Sequence, residues 1–574
     1  MPVHVLQGSA ARTYRFRIAD HPRALQACLS FEAYGVAPMR GLRFRFHGAD
    51  GTLLHDIHPV QGSMCEDGLL SRIRKLPLAL RMEYLIRRIL HRPIFFFLDL
   101  PPSCLGDPGL AVSVDNIGDI PCVVSNFRLR TSTLAPDRLE QNLHPIEGYS
   151  DRISVFPGER LRLFVHAPRH HFALTVIRHG AQAQPVLHIG AIEGKPQPYA
   201  ANAYECGADW EPTFTLEIGA DWRGGMYTAS ISDGSGADFD MTFIVKKPRQ
   251  GACADVAVLA STNTWLAYNA WGGASLYRYE IDDGLGKKGA SRVHMQRPNP
   301  AASMAGNDGH LANAERHILC WLERNGIAHD LYADLDLHDK PDLLRQYPTL
   351  LISTHSEYWT EPMYRGLESF LAAGGNLVYL SGNGLYWKAE IHEQQFEVKN
   401  DGSRHTFSGE AGGRWRDCGR PETRTLGIRF TPAGYKSTYS PYKVITPGHW
   451  IFDGTGVEKG SLIGQFGLNM GGASGWEMDK IGLRHKPPGL VHLAKGTNRW
   501  RSGADMTYYT HAGGGGVFSV GSITFGGSLA IDPVLSRMLR NVFARFARQS
   551  ARPADSVDAA VGACSLYGST ILPL

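Results

Sequence analysis

The chain has 574 residues, 43% of them hydrophobic and 20% charged, enough for about three to four folded domains with substantial cores. Its 59 Lys and Arg against 55 Asp and Glu leave a formal net charge of +4, a field too weak to argue for nucleic acid as a partner. The nine cysteines are scattered and never spaced as CxxC, which argues against a zinc ribbon or a disulfide framework, and the first residues lack the apolar stretch of a signal peptide, so a cytoplasmic enzyme is expected.

Residues 1–138 mix short alternating segments, such as Arg43–His47 and Cys122–Leu129, with a basic amphipathic stretch in which Arg72, Arg74, Lys75, Arg87 and Arg88 alternate with leucines and isoleucines. A β-rich domain with a helical insertion is expected there. The stretch reads as the solvated face of a helix packed on its own domain or on another subunit, in preference to a contact with a membrane surface or an acidic partner, and Ile94–Leu98 is too short to span a bilayer. Residues 139–248 carry purely β signals, with alternating runs at 160–165, 172–177, 213–218, 226–231 and 241–245 between Gly, Pro and Asp turns, and predict a β-sandwich.

Beyond Asp255 strands alternate with helices, which predicts a doubly wound α/β domain over 249–549, followed by a tail at 550–574. A strand is expected at Val256–Ala260, a helix from an Asp308 cap to Asn325, a strand at Thr349–Ser353, a helix through Met363, Leu367, Phe370 and Leu371, a strand at Leu377–Leu380, and a terminal helix from Asp532 to Arg548. The stretch 389–450 is too long and polar for an ordinary connection and predicts an excursion over the site or toward a partner.

Polar residues crowd the carboxyl ends of the expected strands, where open α/β sheets hold their ligands. His355 and Glu357 follow one strand and Asn383 the next. A carboxylate there needs a partner, either a metal or an arginine or lysine; His355 suits proton transfer, or alternatively a structural bond to backbone. Asn383, between two glycines, would orient substrate or water, or simply form a left-handed turn. Glu477 is a candidate general base and acid, with an ion pair to Lys480 or an arginine as the plainer reading. Trp265, Tyr386 and Phe518 are candidates for an apolar wall.

Taken in order, Gly225-Met226-Tyr227, Asn263-Thr264-Trp265-Leu266-Ala267-Tyr268-Asn269-Ala270-Trp271-Gly272-Gly273, His355-Ser356-Glu357-Tyr358-Trp359, Gly382-Asn383-Gly384, Gly475-Trp476-Glu477-Met478-Asp479 and Gly521-Ser522-Ile523 resemble the large (beta) subunit of N,N-dimethylformamidase and its relatives over about 145–548. The resemblance implies a β-sandwich joined to an α/β domain of the class I glutamine amidotransferase type. It also implies a mononuclear non-haem iron, Fe(III), held by two tyrosinates and a glutamate and used to hydrolyse a small amide, with a separate small subunit or a homo-oligomer as the assembly. Carried onto this chain, the metal ligands would be Tyr227, Tyr268 and Glu357, with Tyr277 or Tyr279 as alternatives to either tyrosine. Two phenolates and a carboxylate are hard oxygen donors suited to Fe(III) and poorly suited to zinc or copper. Glu477, with His355, would take the proton of water and deliver it to the leaving amine, and Asn383 would orient the substrate. None of the nine cysteines occupies the glycine-flanked turn that an amidotransferase nucleophile requires. Two other readings stand beside this one: a non-catalytic or carbohydrate-related binding protein with the α/β domain as scaffold, and a metal-dependent oxygenase, for which two histidines and a carboxylate would be the usual ligands.

Overall fold

A computed structural model describes residues 146–550, apart from 170, 201, 278–289, 305–308, 401, 436–437, 483 and 500–501; before residue 146 it describes strands between His4 and Ser132 and part of one connecting turn. The basic stretch at 72–92, Tyr279 and the tail after 550 lie outside the described residues. The architecture is mixed α/β, richer in strands than in helices.

The early strands form two four-stranded sheets, antiparallel throughout. Next, a five-stranded sheet that includes His171–His179, Gly225–Ser232 and Asp238–Val245 faces a three-stranded sheet of Glu147–Ser150, Arg160–His166 and Phe214–Glu217. Leu161, Leu163, Leu174, Val176, Tyr227 and Phe243 fill the space between the two. Strand alternation then sends the neighbours of these residues the other way. Met226 and Ile244 leave the sandwich interior and join the core under the α/β sheet.

Five strands make the parallel part of a nine-stranded sheet: β1 (Val256–Ala260), β2 (His329–Ala333), β3 (Thr349–Thr354), β4 (Asn376–Ser381) and β5 (Gly516–Ser519). Their spatial order is 2-1-3-4-5. Every residue of β1, β3 and β4 is buried, as their near-continuous apolar runs require of strands covered on both faces. Alternate residues point to opposite sides. Val258, Leu351, Val378 and Phe518 pack with α2 (Ala312–Arg324) and α5 (Pro533–Ser550), whereas Leu259, Leu350, Ile352 and Tyr379 pack with α3 (Asp334–Asp339) and α4 (Glu361–Ala372). Helix α1 (Thr262–Tyr268) follows β1 directly.

Beyond β5 the sheet continues antiparallel through Asp505–Thr510, Val491–Gly496, Tyr442–Val444 and Leu462–Ile463. The sequence predicts no strand at these positions, because their mixed polar composition carries no clean period. Similarly, the polar stretch after residue 389 is structured: Trp387–His392 and Gln395–Val398 form a hairpin in a separate four-stranded sheet, and Ile428–Tyr435 pairs with Glu477–Ile481. Helix α2 also begins later than its expected Asp308 cap. Leu311 is extended at the boundary and Gly309 is pressed against Asn469, where a Cβ would come within 2.1 Å of Oδ1. This turn carries His310 toward the sheet's carboxyl edge.

The sandwich is tied to α2 by Arg178, which bonds Glu323 and the Gly224 carbonyl. Burial alone would raise the Glu323 carboxyl, but the bonds from Arg178 and the Ala181 amide outweigh it and hold it below its ordinary value. A lowered carboxylate stabilises the fold above its unfolded pKa and loses that contribution as pH falls through the folded one. Glu323→Ala should therefore destabilise the protein by about 2 to 4 kcal/mol near neutral pH. In denaturant titrations its deficit relative to wild type should shrink as pH drops from about 5 toward 3.

Candidate active site

The order 2-1-3-4-5 places a crevice at the carboxyl ends of β1 and β3, where the chain leaves neighbouring strands in opposite directions. The site is built there. After β1, Ser261 starts α1, and two buried carboxylates hold its first turn: Glu315 accepts from the Ser261 amide at 3.1 Å and the Trp265 indole at 2.8 Å, and Asp334 accepts from the Asn263 amide at 2.8 Å. Helix α1 ends on Tyr268, whose ring lies 4.2 Å from that of Tyr277. After β3 the chain turns through Thr354 at φ 49°, a left-handed conformation that is costly for a β-branched residue and is typical of functional sites.

Glu357 is the hub. Tyr277 Oη donates to its Oε2 at 2.5 Å, Asn383 Nδ2 to its Oε1 at 3.0 Å, and Tyr358 Oη in turn bonds Tyr277 Oη. Asn383 Nδ2 also reaches Glu477 Oε2 at 2.7 Å, and His355 Nε2 stands 3.2 Å from Glu477 Oε2 and 3.4 Å from Glu357 Oε2. His355, Glu357 and Glu477 are all buried and could hold a metal ion between them. Asn383 adopts the left-handed turn (φ 52°) and its side chain also bridges the two carboxylates. Its amide nitrogen bonds Asp479, which also accepts from Tyr379 Oη at 2.9 Å. Gly382 lets the end of β4 approach the Glu477 strand: a Cβ there would lie 2.1 Å from the Glu477 carbonyl oxygen and 3.0 Å from the Ile523 nitrogen. Both are backbone atoms that cannot swing aside, so Gly382→Ala should cost about 2 to 4 kcal/mol of stability, measurable by thermal or urea unfolding.

Electrostatically the site is an excess of acids. Burial, reinforced by the neighbouring Glu477, holds the Glu357 carboxyl well above its usual range. Burial and the Glu357 and Glu477 carboxylates also raise the phenols of Tyr268 and Tyr277 far above 10. His355 responds to two opposed effects: burial disfavours its charged form, but Glu477 and Glu357 outweigh that and raise it. Asp479 is pushed up to about 7 by burial. Two carboxylates and two phenols sharing one imidazole cannot all ionise without another cation.

Of the proposed metal ligands, Tyr268 and Glu357 come together and Tyr227 does not. Its strand turns it into the sandwich interior, where it stacks on Trp222 and donates to the Arg223 carbonyl at 2.7 Å. Tyr277, an alternative in the sequence reading, occupies the place beside Glu357. Trp265 and Phe518 belong to the core beneath the sheet and are not a wall of the site. Tyr386 is closer, since its amide bonds the Glu357 carbonyl at 3.0 Å. Lys480 forms no ion pair with Glu477; Glu477 instead faces His355 and Asn383. Cys253 and Cys320 donate to Gln346 Oε1 and the Ala181 carbonyl, away from the site. Sequence reasoning missed Tyr358 and Asp479, each one strand step or less from a chosen glutamate. It also missed His310, whose ring lies 4.7 Å from Tyr268 and stacks at 4.5 Å on Trp476.

Residues 173–540 match the family described as N,N-dimethylformamidase beta subunit-like, C-terminal. The chain belongs to this family. It is 28% identical over 446 residues to the N,N-dimethylformamidase beta subunit of Paracoccus aminophilus, a match covering 62% of this chain and 57% of that protein. The beta subunit of the same name from an Alcaligenes species is 27% identical over 428 residues, covering 60% and 55%. The matched region thus spans little more than half the length of these relatives. Among solved structures, a β-1,2-glucanase from Parabacteroides distasonis aligns at a TM-score of 0.16 and 7% identity over 40% of this chain and 28% of that one, a likeness too slight to carry an argument. No helix among the described residues is long and apolar enough to cross a membrane.

Proposed function

We propose that the chain is the catalytic part of an iron-dependent hydrolase of small amides, acting like its dimethylformamidase relatives and, like those beta subunits, with a partner subunit or further copies of itself. The observation that carries the reading is the convergence of Tyr268 and the more exposed Tyr277 on Glu357, beside the buried His355 and Glu477. Two phenols and a carboxylate are hard oxygen donors, and a trivalent cation among them would relieve the excess of buried acids and allow both phenols to ionise. Bound iron(III) would act as a Lewis acid that polarises the amide carbonyl and makes water more acidic.

The protein's own groups would do the rest. Glu477, 3.2 Å from His355, would take the proton from the attacking water and return it to the leaving amine, and His355 would hold the glutamate in place. Asn383 Nδ2 fixes both carboxylates, while its Oδ1, buried and without a hydrogen-bond partner among the described residues, could accept from water or substrate. The order 2-1-3-4-5 with helices on both faces supports reading the α/β unit as an amidotransferase-type domain, and Asn383 at its glycine-flanked turn supports chemistry without a protein nucleophile.

The test is turnover of N,N-dimethylformamide and related small amides by the iron-loaded protein, with and without iodoacetamide. A linear time course that a chelator abolishes and thiol alkylation leaves within a few-fold is expected. A stoichiometric burst with an acyl group trapped on a cysteine or serine would overturn the mechanism.

A further inference from the structure

On the outer side of the Ile428–Tyr435 strand, a cavity of about 450 Å³ is lined by Arg416, Arg424, Arg429, Arg484 and His485, with Asp417 at its edge. This concentration of guanidiniums is not matched by acids. Asp417 is bound by Arg414 through two contacts of 2.6 and 3.2 Å, and the buried Glu422 is bonded by Arg416 at 2.6 Å and also feels the charge of Arg429. Arg424, Arg429 and Arg484 form no ion pair among the described residues. Arg424 reaches only the Gly419 carbonyl and the His485 ring, each at 3.5 Å. Arg429 lies directly across the sheet from Lys480, and like charges in that position repel. A concave site of small-molecule size lined by several guanidiniums favours an anion.

We propose that this cavity binds a small phosphate-bearing oligoanion. Guanidinium is planar and presents paired donors that match phosphate oxygens two at a time, whereas a monovalent anion or a lone carboxylate would leave most of these donors unused. Three of the cavity's arginines form no ion pair among the described residues, which suits two linked phosphate groups better than one. The cavity is also joined to the active site. The Arg416 guanidinium lies 5.0 Å over the ring of Tyr386, and the Tyr386 amide bonds the Glu357 carbonyl at 3.0 Å. An anion that draws on Arg416 would therefore be felt at the hub of the site.

The proposal is independent of the reaction, and its test reads binding without turnover. Isothermal titration of the full chain in about 150 mM salt, where non-specific surface attraction is screened, should give one saturable site for inorganic pyrophosphate. Orthophosphate and tricarballylate should each bind about tenfold more weakly or worse. Arg424→Gln and Arg484→Gln, both exposed residues outside the catalytic set, should each weaken pyrophosphate about tenfold, and Lys459→Gln on another exposed loop should not. Unchanged melting of the ligand-free variants would establish that they fold, and Arg424→Lys should recover only part of the affinity. The proposal is overturned by the absence of saturable binding, by tricarballylate matching pyrophosphate, or by pyrophosphate binding that survives both arginine substitutions and so takes place elsewhere, a bound metal included.

Discussion

Tyr277→Phe is expected to strip the protein of its metal, while Tyr227→Phe leaves metal content unchanged. Tyr277 Oη contacts the Glu357 carboxylate directly, and phenylalanine keeps the ring's packing against Tyr268 while removing the one atom that could become a ligand. Loss of a ligand should exceed the roughly 10- to 100-fold fall in affinity seen when an outer partner of a metal site is removed. Glu357→Ala should do the same, with an added loss of stability because Asn383 and Tyr277 would be left with unsatisfied polar groups. Tyr227 packs in the sandwich core, donates to the Arg223 carbonyl and lies beside Arg178, so its hydroxyl should matter to stability by about 1 kcal/mol and to metal not at all. Metal analysis of the three purified variants after exhaustive dialysis separates these outcomes; equal loss in Tyr227→Phe and Tyr277→Phe would contradict the ligand set.

The second large effect concerns Glu477. Because it bonds Asn383 and faces His355 without touching either phenol, Glu477→Gln should keep the metal and lower kcat about 10²- to 10⁴-fold, the range expected of a positioned general acid and base. KM should change little, since the substitution preserves shape and removes a proton carrier. Loss of metal together with activity would show that Glu477 is itself a ligand.

Much of this was legible in the sequence for a specific reason. The buried strands β1, β3 and β4 are uninterrupted apolar runs with polar residues immediately after them, so the positions of His355, Glu357 and Asn383 followed from the edge rule alone. Tyr227 misled because a motif gives order along the chain and not the direction of a side chain. In a strand, neighbouring residues face opposite ways, and Met226, not Tyr227, turns toward the α/β core. Tyr277 lies in a segment without period, and only the folded chain brings it to Glu357. His310 depends on a turn set where Asn469 Nδ2 donates to the Gly309 carbonyl at 2.7 Å across 160 positions of sequence, a contact that no local pattern records. The antiparallel extension of the sheet stayed hidden for a related reason: segments such as Val491–Gly496 and Asp505–Thr510 mix polar and apolar residues without alternation.

The most direct test of the central claim is the metal content and visible spectrum of the purified protein. The account predicts about one iron per chain and a broad visible band from tyrosinate-to-iron charge transfer, lost in Tyr277→Phe and retained in Tyr227→Phe. Stoichiometric zinc, or a colourless iron-free protein that still hydrolyses amides, would contradict it.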